Sequence, residues 1–223
     1  MRTPSMEHEK APTEETLSSE RMTQVIARLM RALSRHWLAV ASVGLGLFIG
    51  LPLLAPVLMA AGWERLGQAI HTLFYITCHQ LPERSYFLFG PQWIYSRAEL
   101  VALAGEPVSL RWIGNAQVGY KIAVCQRDVA IYGGWFLWGM LYGLVRHWLK
   151  PISVRTFVLM LVPMAIDGGG QMVGLWSSTW LTRAITGLLF GLAVVLLAYP
   201  YLEQGMHDMH HEAEQMLAEG GRA

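Results

Sequence analysis

The chain has 223 residues, of which 53% are hydrophobic and 15% charged, with a formal net charge of +1 and a mean hydropathy of +0.34. Soluble domains carry about 25% charged residues, so this composition favours a membrane protein, and the small net charge excludes an electrostatic footprint for nucleic acid. The two cysteines, Cys78 and Cys125, are too few for a disulfide-rich scaffold or a four-cysteine zinc site.

Residues 1–20 are polar, with two prolines and five acids, and are expected to be a disordered tail. Over residues 21–36, Val25, Ile26, Leu29, Met30 and Leu33 share an apolar face and four arginines lie largely elsewhere. This reads as a basic interfacial helix on the inner leaflet, or as a helical extension of the span that follows. Residues 37–63 contain no charge and exceed the roughly 20 residues that cross a bilayer. Residues 64–128 form an outer segment, helical where "RLGQAIHTLFYIT" places Leu66, Ile70, Leu73, Phe74 and Ile76 at helical spacing. Further spans are expected at 129–149, 154–175 and 184–202, followed by a polar tail over 203–223. His207, His210 and His211 in that tail read as a solvated histidine-rich stretch. The fold class is therefore an all-α membrane protein, with a four-span transmembrane helical bundle over residues 37–202 and a partly helical extracytoplasmic segment.

Orientation follows from basic residues in short flanks. Arg21, Arg28, Arg31 and Arg35 precede the first span, and Arg146, Lys150 and Arg155 lie between the second and third. Both flanks belong inside, which puts the N and C termini in the cytoplasm and residues 64–128 outside. Each span also carries two glycines four apart, namely Gly46 and Gly50, Gly139 and Gly143, Gly170 and Gly174, and Gly187 and Gly191. Such spacing lets helix backbones approach closely.

In this topology four distant segments bring polar groups to one depth near the outer face. They supply Cys78, His79, Glu83 and Arg84, then Cys125, Arg127 and Asp128, then Asp167 and Gln171, and finally Arg183 and Thr186. A carboxylate such as Asp167 within a span faces a partner or a watery cavity by default. The glycines at 168–170 would let the helix unwind and expose amides beside it.

The stretches "CHQLPERSYF", "CQRDVAIYGG", "PMAIDGGGQMVGLWSS" and "RAITGLLFG" resemble the successive motifs of a family of predicted prokaryotic integral-membrane proteins of unknown function, over residues 70–195. The resemblance implies a multi-pass protein of the cytoplasmic membrane and supplies no activity. Where some relatives carry a further cysteine after the arginine of the second motif, this chain has Asp128, which weakens any model needing three cysteines.

Three chemistries fit these residues. Cys78, His79 and Cys125 are suitable zinc ligands, with Asp167 or an open water position completing the shell. Asp167 or Glu83 would then act as catalytic base, and Arg84, Arg127, Arg183 and Gln171 would anchor an anionic head group. Alternatively, Cys78 and Cys125 form a disulfide outside the membrane, or the charges form a packing network without chemistry. The corresponding functions are an enzyme acting on a lipid-linked or amphiphilic substrate, or a non-catalytic subunit or transport component of a membrane complex. The partners are the lipid bilayer and either further copies of the chain or other subunits. No phosphate-binding glycine loop, nucleophile elbow or dinucleotide fingerprint occurs.

Overall fold

The computed structural model describes residues 14–219. Among them lie six helices, α1 (Glu14–Ala60), α2 (Glu64–Phe74), α3 (Arg97–Leu103), α4 (Gln126–Val145), α5 (Val154–Met172) and α6 (Trp180–Glu219). Three short strands, β1 (Phe87–Leu88), β2 (Gly114–Asn115) and β3 (Gly119–Lys121), pair antiparallel in the order β1-β3-β2. The protein is thus mostly helical rather than all-α. Strands of two or three residues are too short to show a period-two pattern. They close on glycines instead: a Cβ on Gly114 would lie 2.0 Å from the Gly119 carbonyl oxygen, and one on Gly90 2.0 Å from that of Val118.

Two helices, Ser18–Ala60 and Trp180–Glu219, are long and apolar enough to cross a membrane. The expected second and third spans are helices too, but by the same measure the four-span count is not supported. Their lengths, 20 residues for α4 and 19 for α5, sit at the lower working limit for a span. Glycines, Trp and Tyr in α4, and Arg155, Asp167 and Gln171 in α5, dilute their hydropathy. Helix α1 runs unbroken through residues 21–36, while residues 1–13 of the expected tail lie outside the described residues.

The described residues divide into two compact units, residues 14–37 with 202–219, and residues 38–201. In the first, the N-terminal part of α1 and the C-terminal part of α6 run side by side and antiparallel. Trp37 Nε1 donates to Glu203 Oε2 at 3.0 Å, Ser34 Oγ pairs with His210 Nδ1 at 3.1 Å, and Ala27 and Ala213 are wholly buried between them. His207 and His211, one turn apart on α6, bring their Nε2 atoms to 3.1 Å.

The second unit carries the polar residues. Its central core joins Ala55 of α1, Ile70 and Phe74 of α2, Cys78, and the run Ile122, Ala123 and Val124. Leu66, Leu73 and Ile76, grouped with these by periodicity, are exposed. Pro56 has no N–H to give the Pro52 carbonyl four residues back, and Ala123 N donates to that carbonyl instead, at 3.2 Å. A proline-made vacancy in α1 therefore fixes the chain that leads into Cys125. Beside this core, Phe87, Tyr95, Leu100 and Val118 form a smaller apolar cluster, capped by a reciprocal Ser96–Glu99 box at the start of α3.

Candidate functional site

The site is built around the end of α2 and the start of α4. After Phe74 the chain turns so that Cys78 enters the core, and Gln80 then adopts a positive φ of 52°, an uncommon conformation for a non-glycine residue. All of its polar groups find partners there. The amide nitrogen donates to Cys78 Sγ at 3.4 Å, and the side chain pairs with His71 through Oε1 at 3.0 Å and Nε2 at 2.8 Å. Its carbonyl accepts from the ammonium of Lys121. Gln80 and Lys121 are wholly buried and His71 nearly so. Burial pulls Lys121 down to about 8, with Cys78 and Glu83 opposing the fall.

Cys125 occupies the N-cap of α4, and its backbone N–H donates to Cys78 Sγ at 3.2 Å. Cys78 Sγ thus accepts from two main-chain amides. Cys125 Sγ donates to Asp128 Oδ2 at 3.2 Å, in the first turn of the helix. The donor atoms of Cys78, Cys125 and Asp128 all lie within 4.8 Å of one another. Both cysteines are free, which corrects the expectation of a Cys78–Cys125 disulfide; their sulfurs lie within 4.8 Å of each other instead. The Cys125 sulfur beside it, and then burial, holds the Cys78 thiol well above the ordinary range, while the Cys78 sulfur lowers Cys125.

Three arginines surround the thiols. Arg127 Nη2 donates to Asp167 Oδ2 at 2.5 Å, and Ser178 Oγ donates to the same oxygen at 2.7 Å. Arg183 is 7% exposed; it donates through Nη1 to Gln126 Oε1 at 2.9 Å and through Nη2 to the Ser178 carbonyl at 2.6 Å. Gln126 in turn donates to the Ser85 carbonyl at 3.2 Å. With its amide oxygen turned toward the guanidiniums, Gln171 accepts from Arg84 and Arg183, each at 3.2 Å.

The glycines after Asp167 remain helical, against the expectation that they unwind. Their role is room. A Cβ on Gly168 would lie 2.8 Å from Arg127 Nη1, and one on Gly170 would strike the Trp176 ring. Helix α5 ends at Met172 and is closed by Gly174 (φ 77°), where the Leu175 and Gly174 amides donate to the Gly170 and Gln171 carbonyls, the paired bonds of a Schellman motif.

Cys78, His79, Arg84, Cys125, Arg127, Gln171 and Arg183 line one cavity of about 360 Å³, together with Gln80 and Asp128. The structure therefore brings together most of the residues singled out from sequence. His79 is exposed at the cavity rim, and the third donor beside the thiols is Asp128. Asp167 stands behind Arg127 rather than in the lining, and Glu83 lines a neighbouring cavity, 3.7 Å from Arg97. Sequence reasoning passed over Gln80, Gln126 and Lys121. A lysine inside the apolar run "YKIAV", four residues before Cys125, was a usable signal, because lysine is almost never fully buried without a partner.

Residues 116–197 match a protein family described as a predicted membrane protein (DUF2085). That stretch holds Cys125, Arg127, Asp128, Asp167, Gln171 and Arg183, whereas Cys78 and Arg84 precede it. An uncharacterized protein of Methanocaldococcus jannaschii is 27% identical over 141 residues, covering 62% of this chain and 71% of the archaeal protein. No solved structure matches.

Proposed function

We propose that the chain is a four-span protein of the prokaryotic cytoplasmic membrane, with both termini inside. Its outer-face cavity holds a thiolate-bound transition metal and acts as an enzyme on an anionic, lipid-linked or amphiphilic substrate. The observation that carries this reading is the meeting of Cys78, Cys125 and Asp128 within 4.8 Å, in a cavity also lined by three arginines. Two thiols and a carboxylate suit zinc and leave a fourth position open, the arrangement typical of catalytic rather than structural sites. Such an ion supplies a Lewis acid and lowers the pKa of a bound water toward neutrality. The amides of Gln80 and Cys125 that donate to Cys78 Sγ are the outer-shell bonds that orient a ligand. Asp167, bonded to Arg127 and Ser178, positions that arginine and is not the base.

Exposed apolar surface supports the four spans. Leu137, Met140, Leu141 and Leu144 of α4, and Val158, Leu159, Val162 and Ile166 of α5, are all exposed, as monomeric soluble proteins rarely allow over a continuous patch. Lipid against these faces would remove them from water, and the basic 146–155 connection would stay on the inner side. A second reading, a non-catalytic subunit, is favoured by one observation: the Arg127–Asp167–Ser178 network joins α4, α5 and the turn before α6 by side-chain bonds that serve packing.

Elemental analysis of the purified, tag-free protein separates the two. The enzyme reading expects about one zinc or similar ion per chain, lost in both Cys78→Ser and Cys125→Ser. A folded, metal-free protein would sink the metal centre and favour the subunit.

A further inference from the structure

We propose that Arg84, Gln171 and Arg183 form a binding site for a phosphate-class oxyanion, the charged end of the substrate. The proposal rests on the reading of this cavity as a substrate site, and it narrows the ligand from any anion to a dianionic phosphoryl group.

Arg127 has its carboxylate in Asp167. Among the described residues, Arg84 and Arg183 have none in salt-bridge contact: Arg183 donates to the Gln126 amide and the Ser178 carbonyl, and Arg84 reaches the amide of Gln171. Both guanidiniums therefore converge on one neutral oxygen, at 3.2 Å each. Like charges held together in a partly buried place repel unless an anion joins them. In addition, Arg183 Nε is buried with no hydrogen-bond partner, a donor left over where buried donors are nearly always satisfied.

A site meant only for packing would be better served by glutamate at position 171, which would accept the same two bonds and cancel charge. The neutral amide holds the two forks apart and leaves their charge for a ligand. Two guanidiniums with no carboxylate in salt-bridge contact match a phosphate monoester or diphosphate, whose oxygens such forks meet bidentately. Space agrees with this placement. Arg84 and Arg183 line both the thiol cavity, about 360 Å³, and the adjacent one of about 440 Å³ that includes Trp180. An oxyanion between them would have room for its substituent on one side and the thiol cluster on the other.

The test is calorimetric titration of the full chain in detergent, freed of metal by chelator and kept in phosphate-free buffer. The probes are inorganic phosphate, pyrophosphate and dihexanoyl phosphatidic acid, with dihexanoyl phosphatidylcholine as the control. Saturable binding of a phosphate probe is expected, weakened about 10- to 100-fold by Arg84→Gln and by Gln171→Glu, the scale of a charge-assisted hydrogen bond. Gln171→Glu should unfold at or above the wild-type temperature, since it supplies an internal anion. Tighter binding of phosphatidic acid than of the inorganic probes assigns the site to a lipid head group, and the reverse order assigns it to a soluble ester. No binding of any phosphate probe, or wild-type affinity in either variant, overturns the proposal. Because the titration omits metal, a protein purified without zinc counts against the metal centre and leaves this result standing.

Discussion

At the scale of single residues, the buried network of His71, Gln80 and Lys121 decides how the Cys78 turn is held. Burial drives the His71 pKa down from 6.5 to about 4, the nearby Lys121 charge adds to the fall, and the bond to Gln80 opposes it. The imidazole is therefore neutral in the folded protein. In the unfolded chain it regains its ordinary value, so between pH 6.5 and about 4 the unfolded state binds the extra proton. His71 contributes fully above pH 6.5 and its contribution is lost as pH falls toward 4, at most about 3 kcal/mol for a shift of this size. In thermal unfolding of the detergent-solubilised protein from pH 7.5 to 4.5, His71→Gln should flatten the acid limb relative to wild type. Parallel limbs for the two proteins would remove His71 from the account. Lys121, lowered to about 8, stays charged through this window and does not supply the slope.

At the scale of elements, the cavity depends on how closely α4 and α6 approach. A Cβ on Gly191 would lie 2.6 Å from Trp135 N and 3.0 Å from the Ile131 carbonyl oxygen, and one on Gly187 would lie 2.7 Å from Ala130 Cβ and 3.0 Å from the Arg127 carbonyl oxygen. These obstacles are largely backbone, which cannot rotate away. Gly191→Ala is therefore expected to destabilise by about 1–3 kcal/mol, the usual cost of overpacking, and to disturb Arg127 and Arg183 together. Gly50→Ala meets nothing within 4 Å and should be neutral or gain up to about 1 kcal/mol of helix propensity; thermal unfolding of the two variants side by side checks the contrast. Spacing alone could not tell these glycines apart, since Gly46–Gly50 and Gly187–Gly191 share the same interval. The same limit applied to the site. Periodicity and intramembrane charge pointed to Cys78, Cys125, Arg127, Asp167 and Arg183, because such residues are conspicuous in an apolar chain. Which of them would meet was set by long-range bonds with no local signature: Ala123 filling the vacancy left by Pro56, and Gln126 linking Ser85 to Arg183. Asp128 stood next to Arg127 in the sequence, yet only the N-cap geometry of Cys125 turns it toward the thiols.

At the scale of the whole molecule, the open structural question is whether α4 and α5 cross the membrane with α1 and α6. The termini cannot decide it, because two spans and four spans both return the chain to its starting side, as the side-by-side packing of Ser34 with His210 and Trp37 with Glu203 already requires. The connection between α4 and α5 does decide it. With four spans it lies inside with the termini; with two, residues 61–179 all stay outside and α4 and α5 form a hairpin on the outer surface. Lys150 in that connection is exposed, and Trp148 beside it is 83% exposed, so a probe there is read without unfolding. In a variant with Cys78 and Cys125 replaced by serine, Lys150→Cys should resist a membrane-impermeant maleimide applied to intact cells and react once the membrane is opened. A cysteine at Arg111, in the segment between α3 and β2, should react in intact cells under either topology and serves as the outer reference. Equal labelling at both positions in intact cells would reduce the membrane domain to α1 and α6. It would also leave the exposed leucines and valines of α4 and α5 facing water, where only a partner subunit or a second copy could cover them. Protection of Lys150→Cys assigns that apolar surface to lipid and sets the thiol and arginine cavity at the outer end of a four-helix bundle, within reach of a head group in the outer leaflet.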